Sequence, residues 1–301
     1  MNLTLDLFLG KVTAVILGIM QDGGLPHAGC RCPRCAAAFA DPSQAEYAAC
    51  LAIVDGRQPS PSPEPVEGKG RGDNKYHPRV YLLDATPDIK FQLNLLADLL
   101  PHPRRAARLR SPDGIFLTHA HMGHIGGLPQ LGPEAMDARG LPLFASAGVM
   151  GVLRETAVWQ PFLQYIQPNI LHDGQPVSLG DGLTITPITV PHRDEWGAGT
   201  FAFRVQGPNR SLLYLPDIDS WDAWPQARET LSGVDVALVD ACFYSTGELA
   251  GRTPVAHPLV EDTIARFADL PTQLLLTHLN HTNPLLDGGE NVAYTGQRIE
   301  L

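Results

Sequence analysis

Basic residues are scarce in this chain of 301 residues. It has 22 lysines and arginines against 32 acidic residues, and its net charge is −10. Nonspecific nucleic-acid binders need a basic surface to offset the repulsion of phosphates, so we expect no nucleic-acid partner and favour a small-molecule substrate. Cysteine is also rare. The five cysteines form an odd set, which argues against a disulfide framework.

A signal peptide and a membrane span are also not expected. Residues 1–20 are apolar in patches, but they carry Asp6 and Lys11 and lack a basic start before a continuous apolar core. We therefore expect a cytoplasmic protein with no membrane partner, and a homodimer remains an open possibility. The hydrophobic content of 44% is ample for one large α/β domain over residues 1–301.

Residues 57–76 differ in composition from their surroundings. Four prolines alternate with small and acidic residues between Pro59 and Pro65, and a stretch rich in glycine and basic residues follows at 68–72. Such a segment buries too little to offset the entropy of ordering. The strand pattern resumes at Val80, so we interpret the segment as a flexible insertion within one domain.

Three histidines follow the apolar run 115–117, which predicts a buried strand. His119 and His121 are two residues apart and therefore point to the same side of an extended segment, while the next turn brings His124 inward. An ordinary polar loop is the alternative, but three histidines within six residues at a strand end favour a metal site.

Later predicted strands also end in potential metal ligands. His192 follows residues 183–190, Asp217 follows 211–215, and His278 follows 273–277. The carboxyl ends of strands are where α/β sheets place their ligands, so we expect these residues to meet His119. His257 begins a predicted helix over 257–270 near the same face, and we include it with Asp217 as a candidate catalytic residue.

A second cluster contains Cys30, Cys32 and Cys35. This spacing predicts a structural zinc site with one distant fourth ligand, although a reduced, metal-free loop is the alternative. We expect His281 to be the fourth ligand because it lies only three residues after His278. One turn would then serve both metal sites.

The motif His-x-His-x-x-His after an apolar strand resembles the signature of the metallo-β-lactamase fold superfamily. The resemblance implies a four-layer αβ/βα sandwich of two mixed sheets with flanking helices. It also implies that His192, Asp217 and His278 complete the metal site, with Asp217 as the bridging carboxylate.

Further motifs narrow the resemblance. The segments 22–26, 85–89, 277–284 and 291–296 are similar to those of the pyrroloquinoline quinone biosynthesis protein B family. Typical members of that family have lost much of the histidine motif, whereas this chain keeps it. In this respect it resembles the cyclic phosphodiesterase of phosphonate breakdown, which also has the three-cysteine cluster and a histidine corresponding to His281.

The leading functional expectation is a metal-dependent hydrolase. One or two zinc ions, or manganese or iron, would generate hydroxide at neutral pH for attack on a phosphodiester or another small ester. The phosphodiester rests on the resemblance alone. The alternatives are an iron-dependent oxygenase of a quinone precursor and a carrier that binds the quinone or its precursor without turnover.

Gly123 departs from the superfamily pattern, in which an aspartate precedes the last histidine. The second ion would thus lack a carboxylate, and we expect the first site, with His119, His121 and His192, to fill preferentially. Another residue, such as His257 or Asp84, could supply the missing ligand. Asp84 could otherwise orient a metal ligand without contacting the ion itself, or cap a loop.

Two loops are expected to line the substrate site, at residues 193–199 and 243–253. Binding sites combine aromatic walls with a few polar groups. Trp196, Tyr244 and Arg252 are therefore the candidate substrate contacts.

Overall fold

The computed structural model describes residues 3–59, 77–102 and 107–301, and within these residues the strands form two sheets. The seven-stranded sheet has the order β13-β1-β2-β3-β4-β5-β6, and the six-stranded sheet has the order β12-β11-β10-β9-β8-β7. The first contains β1 (Val12–Gly18), β2 (Cys50–Pro59), β3 (Pro78–Leu83), β4 (Gly114–Phe116), β5 (Leu141–Ser146), β6 (Ile166–Leu171) and β13 (Arg298–Glu300). The second contains β7 (Val177–Gly180), β8 (Leu183–Val190), β9 (Thr200–Gln206), β10 (Ser211–Leu215), β11 (Val236–Asp240) and β12 (Gln273–Thr277).

Short helices connect and cover the strands. They are α1 (Pro33–Ala40), α2 (Ile89–Leu95), α3 (Met122–Ile125), α4 (Ala147–Glu155), α5 (Gln160–Leu163), α6 (Ala227–Ser232) and α7 (Val260–Phe267). Their starts carry local signals: Pro33 is the first residue of α1, and the Ser146 hydroxyl accepts a hydrogen bond from the Val149 amide at the start of α4. Among the described residues, no helix has the length and apolar character needed to cross a membrane.

The layers follow from the alternation of side chains along each strand. Leu83 faces the second sheet, whereas its neighbour Leu82 faces the helices that cover the first sheet. Between the sheets, Phe116 packs edge-on against Phe203, with ring centroids 5.8 Å apart. Helices α6 and α7 pack on the second sheet through residues such as Leu231. The expected four-layer αβ/βα sandwich is confirmed.

One helix starts later than predicted. The pattern over 257–270 becomes α7 at Val260, and His257 lies ahead of it with a φ of 67°. Pro258 explains the difference, because a proline disfavours the helical conformation of the residue before it. His257 therefore projects from a loop.

Strand direction brings the potential ligands together. In the first sheet, β2 is antiparallel to both β1 and β3, and β4 is parallel to β3, so β1, β3 and β4 run in the same direction. In the second sheet, β9 is antiparallel to both β8 and β10, and β11 is parallel to both β10 and β12. Strands β8, β10, β11 and β12 therefore run in the same direction. The residues that follow all seven strands lie at a common edge, as expected for ligand sites in α/β folds.

Most of the expected insertion at 57–76 lies outside the described residues. The flanking strands pair to the end of the described part, with Pro59 opposite Pro78. The two ends that a deletion would leave are therefore adjacent in the sheet.

We predict that replacing residues 60–76 with a short Gly-Ser turn leaves the melting temperature and metal content unchanged. The β2–β3 pairing already brings the ends together, and loop-closure entropy varies slowly with length. Thermal unfolding and elemental analysis check this. An insoluble or metal-depleted deletion variant would show that the segment contributes to the folded body.

Candidate metal centre

The first ligand group is formed by His119, His121 and His192. His119 Nε2 lies 2.9 Å from His121 Nδ1, which lies 3.3 Å from His192 Nε2. His119 and His121 follow β4, while His192 follows β8 in the other sheet. Three imidazole nitrogens this close together form one face of a site that suits zinc and related ions.

The second ligand group contains Asp22, His124 and His278. His124 Nε2 lies 3.3 Å from Asp22 Oδ1, and His278 Nε2 lies 3.6 Å from the same oxygen. Asp22 comes from the loop after β1, His124 from α3 and His278 from the end of β12. Two imidazoles and a carboxylate thus converge from three separate elements.

Asp217 lies between the two groups. Its Oδ2 is 3.0 Å from His124 Nε2, and its Oδ1 is 3.4 Å from His278 Nε2 and 3.7 Å from His192 Nε2. The residue is 2% exposed. A carboxylate that faces both groups has the position needed to bridge two ions.

The burial of potential ligand atoms indicates that the site fits metal ions. Four inward-facing atoms are buried and form no hydrogen bond with any residue that the structure describes, and they belong to Asp22, His124, Asp217 and His278. Burying a polar atom without a partner costs free energy, so such atoms are rare unless something else satisfies them. Nitrogen and carboxylate donors in this arrangement are the ligands that divalent transition ions prefer.

Three imidazoles have a protein partner at the nitrogen that faces away from the centre, through hydrogen bonds at His119 and His124 and through an ion-pair contact at His192. Asp84 Oδ2 lies 2.8 Å from His124 Nδ1, and Asp219 Oδ1 lies 3.1 Å from His192 Nδ1. The Thr118 hydroxyl lies 2.9 Å from Nδ1 of His119. Partners of this kind orient a histidine ligand and select the tautomer whose other nitrogen is free to coordinate.

Besides His257, two residues at the site adopt left-handed backbone conformations. Asp84 follows β3 with a φ of 71°, and His278 follows β12 with a φ of 61°. This region is unfavourable for residues other than glycine and typically costs about 1 kcal/mol or more. The surrounding fold maintains these conformations, which direct His278 into the site and Asp84 onto the outward nitrogen of His124.

Electrostatics favour neutral histidines beside ionised carboxylates in the first group. Burial, and then the neighbouring His124, lower the pKa of His119 well below its usual value, and burial lowers the pKa of His192. Burial alone would raise the pKa of Asp217, but His278 and His124 outweigh it and hold that pKa well below the usual range. Neutral imidazoles and a carboxylate anion are the forms that bind a cation.

The expectation of a missing carboxylate beside Gly123 was wrong. A side-chain carbon added at Gly123 would lie 2.0 Å from Asp22 Oδ1, so Asp22 fills the space that a side chain at 123 would occupy. The two suggested substitutes have other contacts, although His257 also lies within ligand distance of Asp217 and His278. Asp84 lies behind His124, at the nitrogen facing away from the site, and His257 Nδ1 pairs with Asp240 at 2.7 Å.

His257 lies above both ligand groups. Its ring centroid is 5.6 Å from that of His192 and 5.5 Å from that of His278. Burial opposes a charge on this ring, but Asp240 outweighs burial and raises the pKa of His257 to about 9. Asp240 also accepts hydrogen bonds from the amides of Ile218 and Cys242, so the pair is firmly held.

The cysteine cluster forms a separate ligand group with His281. The four potential ligand atoms of Cys30, Cys32, Cys35 and His281 all lie within 4.8 Å of one another. The Cys35 amide donates to Cys32 Sγ, which lowers the pKa of that thiol. Burial lowers the pKa of His281. A thiolate and a neutral imidazole are the forms that zinc requires.

The predicted substrate contacts lie on the two expected loops. Trp196 is 53% exposed, Tyr244 is half-buried with its amide donating to the Glu248 carboxylate, and Arg252 Nε donates to the Leu249 carbonyl. Their role in binding substrate stays a prediction. The residue before Trp196, Glu195, lies 3.3 Å from His121 Nε2.

The sequence interpretation missed several polar residues of the centre. Asp22, Asp219 and Asp240 were not assigned to it, although each lies at or just after the end of a strand that shares the common direction. A position just after the end of a predicted strand was the criterion that had already selected Asp217. Applied to every such strand, it would have found the other three.

Comparisons with known proteins identify the family of the chain. Residues 79–279 match the β-lactamase superfamily domain. The chain belongs to this superfamily. It is also 27% identical to coenzyme PQQ synthesis protein B of Rhodopseudomonas palustris strain TIE-1, over 95% of this chain and 94% of that protein, and 26% identical to the same protein of Methylobacterium nodulans, over 91% of each.

Solved structures show the same fold. Zn²⁺-bound PqqB from Methylobacterium extorquens superposes with a TM-score of 0.72 at 22% identity, covering 96% of this chain and all of that one. A diphosphatase of the PhnP family superposes with a TM-score of 0.67 at 21% identity, covering 97% of both chains. At this level of identity the two structures confirm the fold, and their activities do not transfer directly to this chain.

We predict that His281→Ala releases the zinc of the cysteine cluster and lowers the melting temperature. Losing about 2 to 3 kcal/mol of folding free energy would lower it by roughly 3 to 5 °C in a chain of this length, because structural zinc binding is coupled to folding. Elemental analysis and calorimetry measure both effects.

His27→Ala is the matched control for this variant. The His27 ring stacks on His281 with centroids 4.6 Å apart, and its amide donates to Cys35 Sγ, a bond that the substitution preserves. The control should keep its zinc. Full zinc content in His281→Ala, or loss of zinc in His27→Ala alone, would contradict the assignment.

Proposed function

We propose that this protein is a metal-dependent hydrolase that cleaves a phosphodiester or another small ester at a two-ion centre. The observation that carries the proposal is the position of Asp217, whose two buried oxygens face one group of three histidines and one group of two histidines and Asp22. Two adjacent ions are a common solution for stabilising both the attacking and the leaving oxygen in phosphoester cleavage.

The protein would control the reaction through its charged side chains. When bound, divalent ions at these groups supply hydroxide near neutral pH by lowering the pKa of water to about 7. The pKa of Asp217 is held well below its usual value, so the carboxylate is ionised. Its two oxygens would link the two ligand groups. His257, fixed by Asp240, would protonate the leaving oxygen.

A second function is favoured by the relatives and by one feature of the site. The similar proteins of known name are PQQ synthesis proteins, and two histidines with one carboxylate, as in the second ligand group, are the ligand set of many non-haem iron oxygenases. This alternative is an iron-dependent oxygenation of a quinone precursor. Binding of such a compound without turnover is a third outcome to be tested.

The test is reconstitution of chelator-treated protein with zinc, manganese or iron, followed by assays with and without oxygen. We expect zinc or manganese protein to hydrolyse bis(p-nitrophenyl) phosphate anaerobically, and His119→Ala to lose this activity. A panel with p-nitrophenyl phosphate and p-nitrophenyl acetate would identify the ester class. Turnover that requires both iron and dioxygen, with no hydrolysis by any metal form, would contradict the proposal.

We predict that His257→Ala lowers kcat by about 10²- to 10⁴-fold, the usual contribution of a general acid, while the metal content stays the same. The loss should be large for alkyl diesters and small for p-nitrophenyl diesters, since p-nitrophenolate leaves without a proton. Comparing kcat for the two substrate types measures this difference. An equal loss on both would contradict a role in protonation.

The pH profile gives a second readout for the same residue. The acid form of His257 is required, so the rate for alkyl diesters should fall as pH rises through its pKa. That pKa is about 9 without ions and lower beside bound cations, which disfavour a charged imidazole. In the His257→Ala variant this fall should disappear.

A further inference from the structure

Asp22 is a carboxylate from a loop that the histidine motif does not include. It lies 36% exposed, four residues after the end of β1, and its Oδ1 faces His124 and His278 at 3.3 and 3.6 Å. Both histidines are 1% exposed, and their Nε2 atoms form no hydrogen bond within the described parts of the chain. The carboxylate and the two nitrogens thus point at one common position from three directions.

Backbone pairing holds the Asp22 loop in place. The Gln21 amide donates to the Leu279 carbonyl at 2.9 Å, directly beside His278, and the Gly24 amide donates back to the Gln21 carbonyl at 2.8 Å. Met20 forms bridges to both Ala48 and Leu279. The position of Asp22 relative to His278 is therefore fixed by hydrogen bonds within one small region, as a ligand position requires.

Gly123 leaves free the space that the Asp22 side chain occupies. A side-chain carbon at 123 would lie 2.0 Å from Asp22 Oδ1 and 2.6 Å from Asp22 Cβ, so both side chains cannot occupy the space. The local backbone does not explain the glycine, since α3 is an ordinary helical turn in which other residues are tolerated. The close approach of Asp22 does.

We infer that Asp22 is a direct ligand of the second ion and supplies, from the β1 loop, the carboxylate that the histidine motif lacks at Gly123. The second ligand set is then Asp22, His124, His278 and the shared Asp217. This inference builds on the two-ion centre of the proposed function, but it is tested by metal binding and so can fail while that function stands.

The test is a pairwise exchange of the two positions. Asp22→Ala should lose one ion per protein, or bind it at least tenfold more weakly, because charge and ligand number set affinity. Gly123→Asp alone should gain nothing, since its carbon collides with Asp22. The double variant Asp22→Gly/Gly123→Asp should regain the second ion, because removing the Asp22 Cβ frees the space at 123 and the new carboxylate replaces the one removed.

Elemental analysis gives the number of ions, and electron paramagnetic resonance of the manganese form shows whether two ions are adjacent. A coupled pair should appear in the wild type, an isolated ion in Asp22→Ala, and the pair again in the double variant. Gln21→Ala is the matched control on the same loop and should keep the pair. Zinc retained at the cysteine cluster confirms that each variant is folded.

Two outcomes would overturn the inference. If Asp22→Ala keeps the second ion at unchanged affinity, Asp22 is only a counter-charge to His124 and His278. If Gly123→Asp alone raises the number of ions, the space at 123 is free and the exchange is wrong. A wild type without any ion at His119, His121 and His192 would instead contradict the proposed function.

Discussion

The centre of this protein depends on burying carboxylates beside imidazoles, and several of the inward-facing atoms form no hydrogen bond with the described residues. Asp217 is 2% exposed and His278 is 1% exposed, and the facing atoms of both lack hydrogen bonds. Such burial is costly without a cation to satisfy it. The rest of the fold offsets this cost and that of the left-handed conformations at Asp84 and His278. Both occur at the edge where strands from both sheets end.

One region of the chain supports both ligand clusters. The loop after β1 carries Asp22 towards the histidines and continues into Cys30, Cys32 and Cys35. The turn after β12 carries His278 to one cluster and His281 to the other. Because the Gln21 amide pairs with the Leu279 carbonyl, this loop and this turn form a single unit. A metal at the cysteine cluster would therefore also stabilise the loop that positions Asp22.

Much of the fold and part of the centre could be predicted from the sequence, because both follow from short-range patterns. Apolar runs of five to eight residues marked β8, β10 and β12 at their observed bounds, and the residues just after those strands came together as expected. The period of the side chains and the shared strand direction are sufficient for that result.

Contacts between residues far apart in the chain could not be predicted from the sequence. Asp22 and Gly123 are 101 positions apart, and only the packed structure shows that one fills the space left by the other. His257 was placed at the start of a helix because the pattern of apolar residues outweighed the effect of Pro258. Its pairing with Asp240 likewise depends on a contact between distant segments.

The most direct test of the account is anomalous X-ray scattering from crystals of manganese- or zinc-loaded protein. The account predicts two adjacent peaks at the centre, one among His119, His121 and His192 and the other among Asp22, His124 and His278, with Asp217 between them. The absence of any peak at these residues, in protein that has bound its full complement of metal elsewhere, would contradict it.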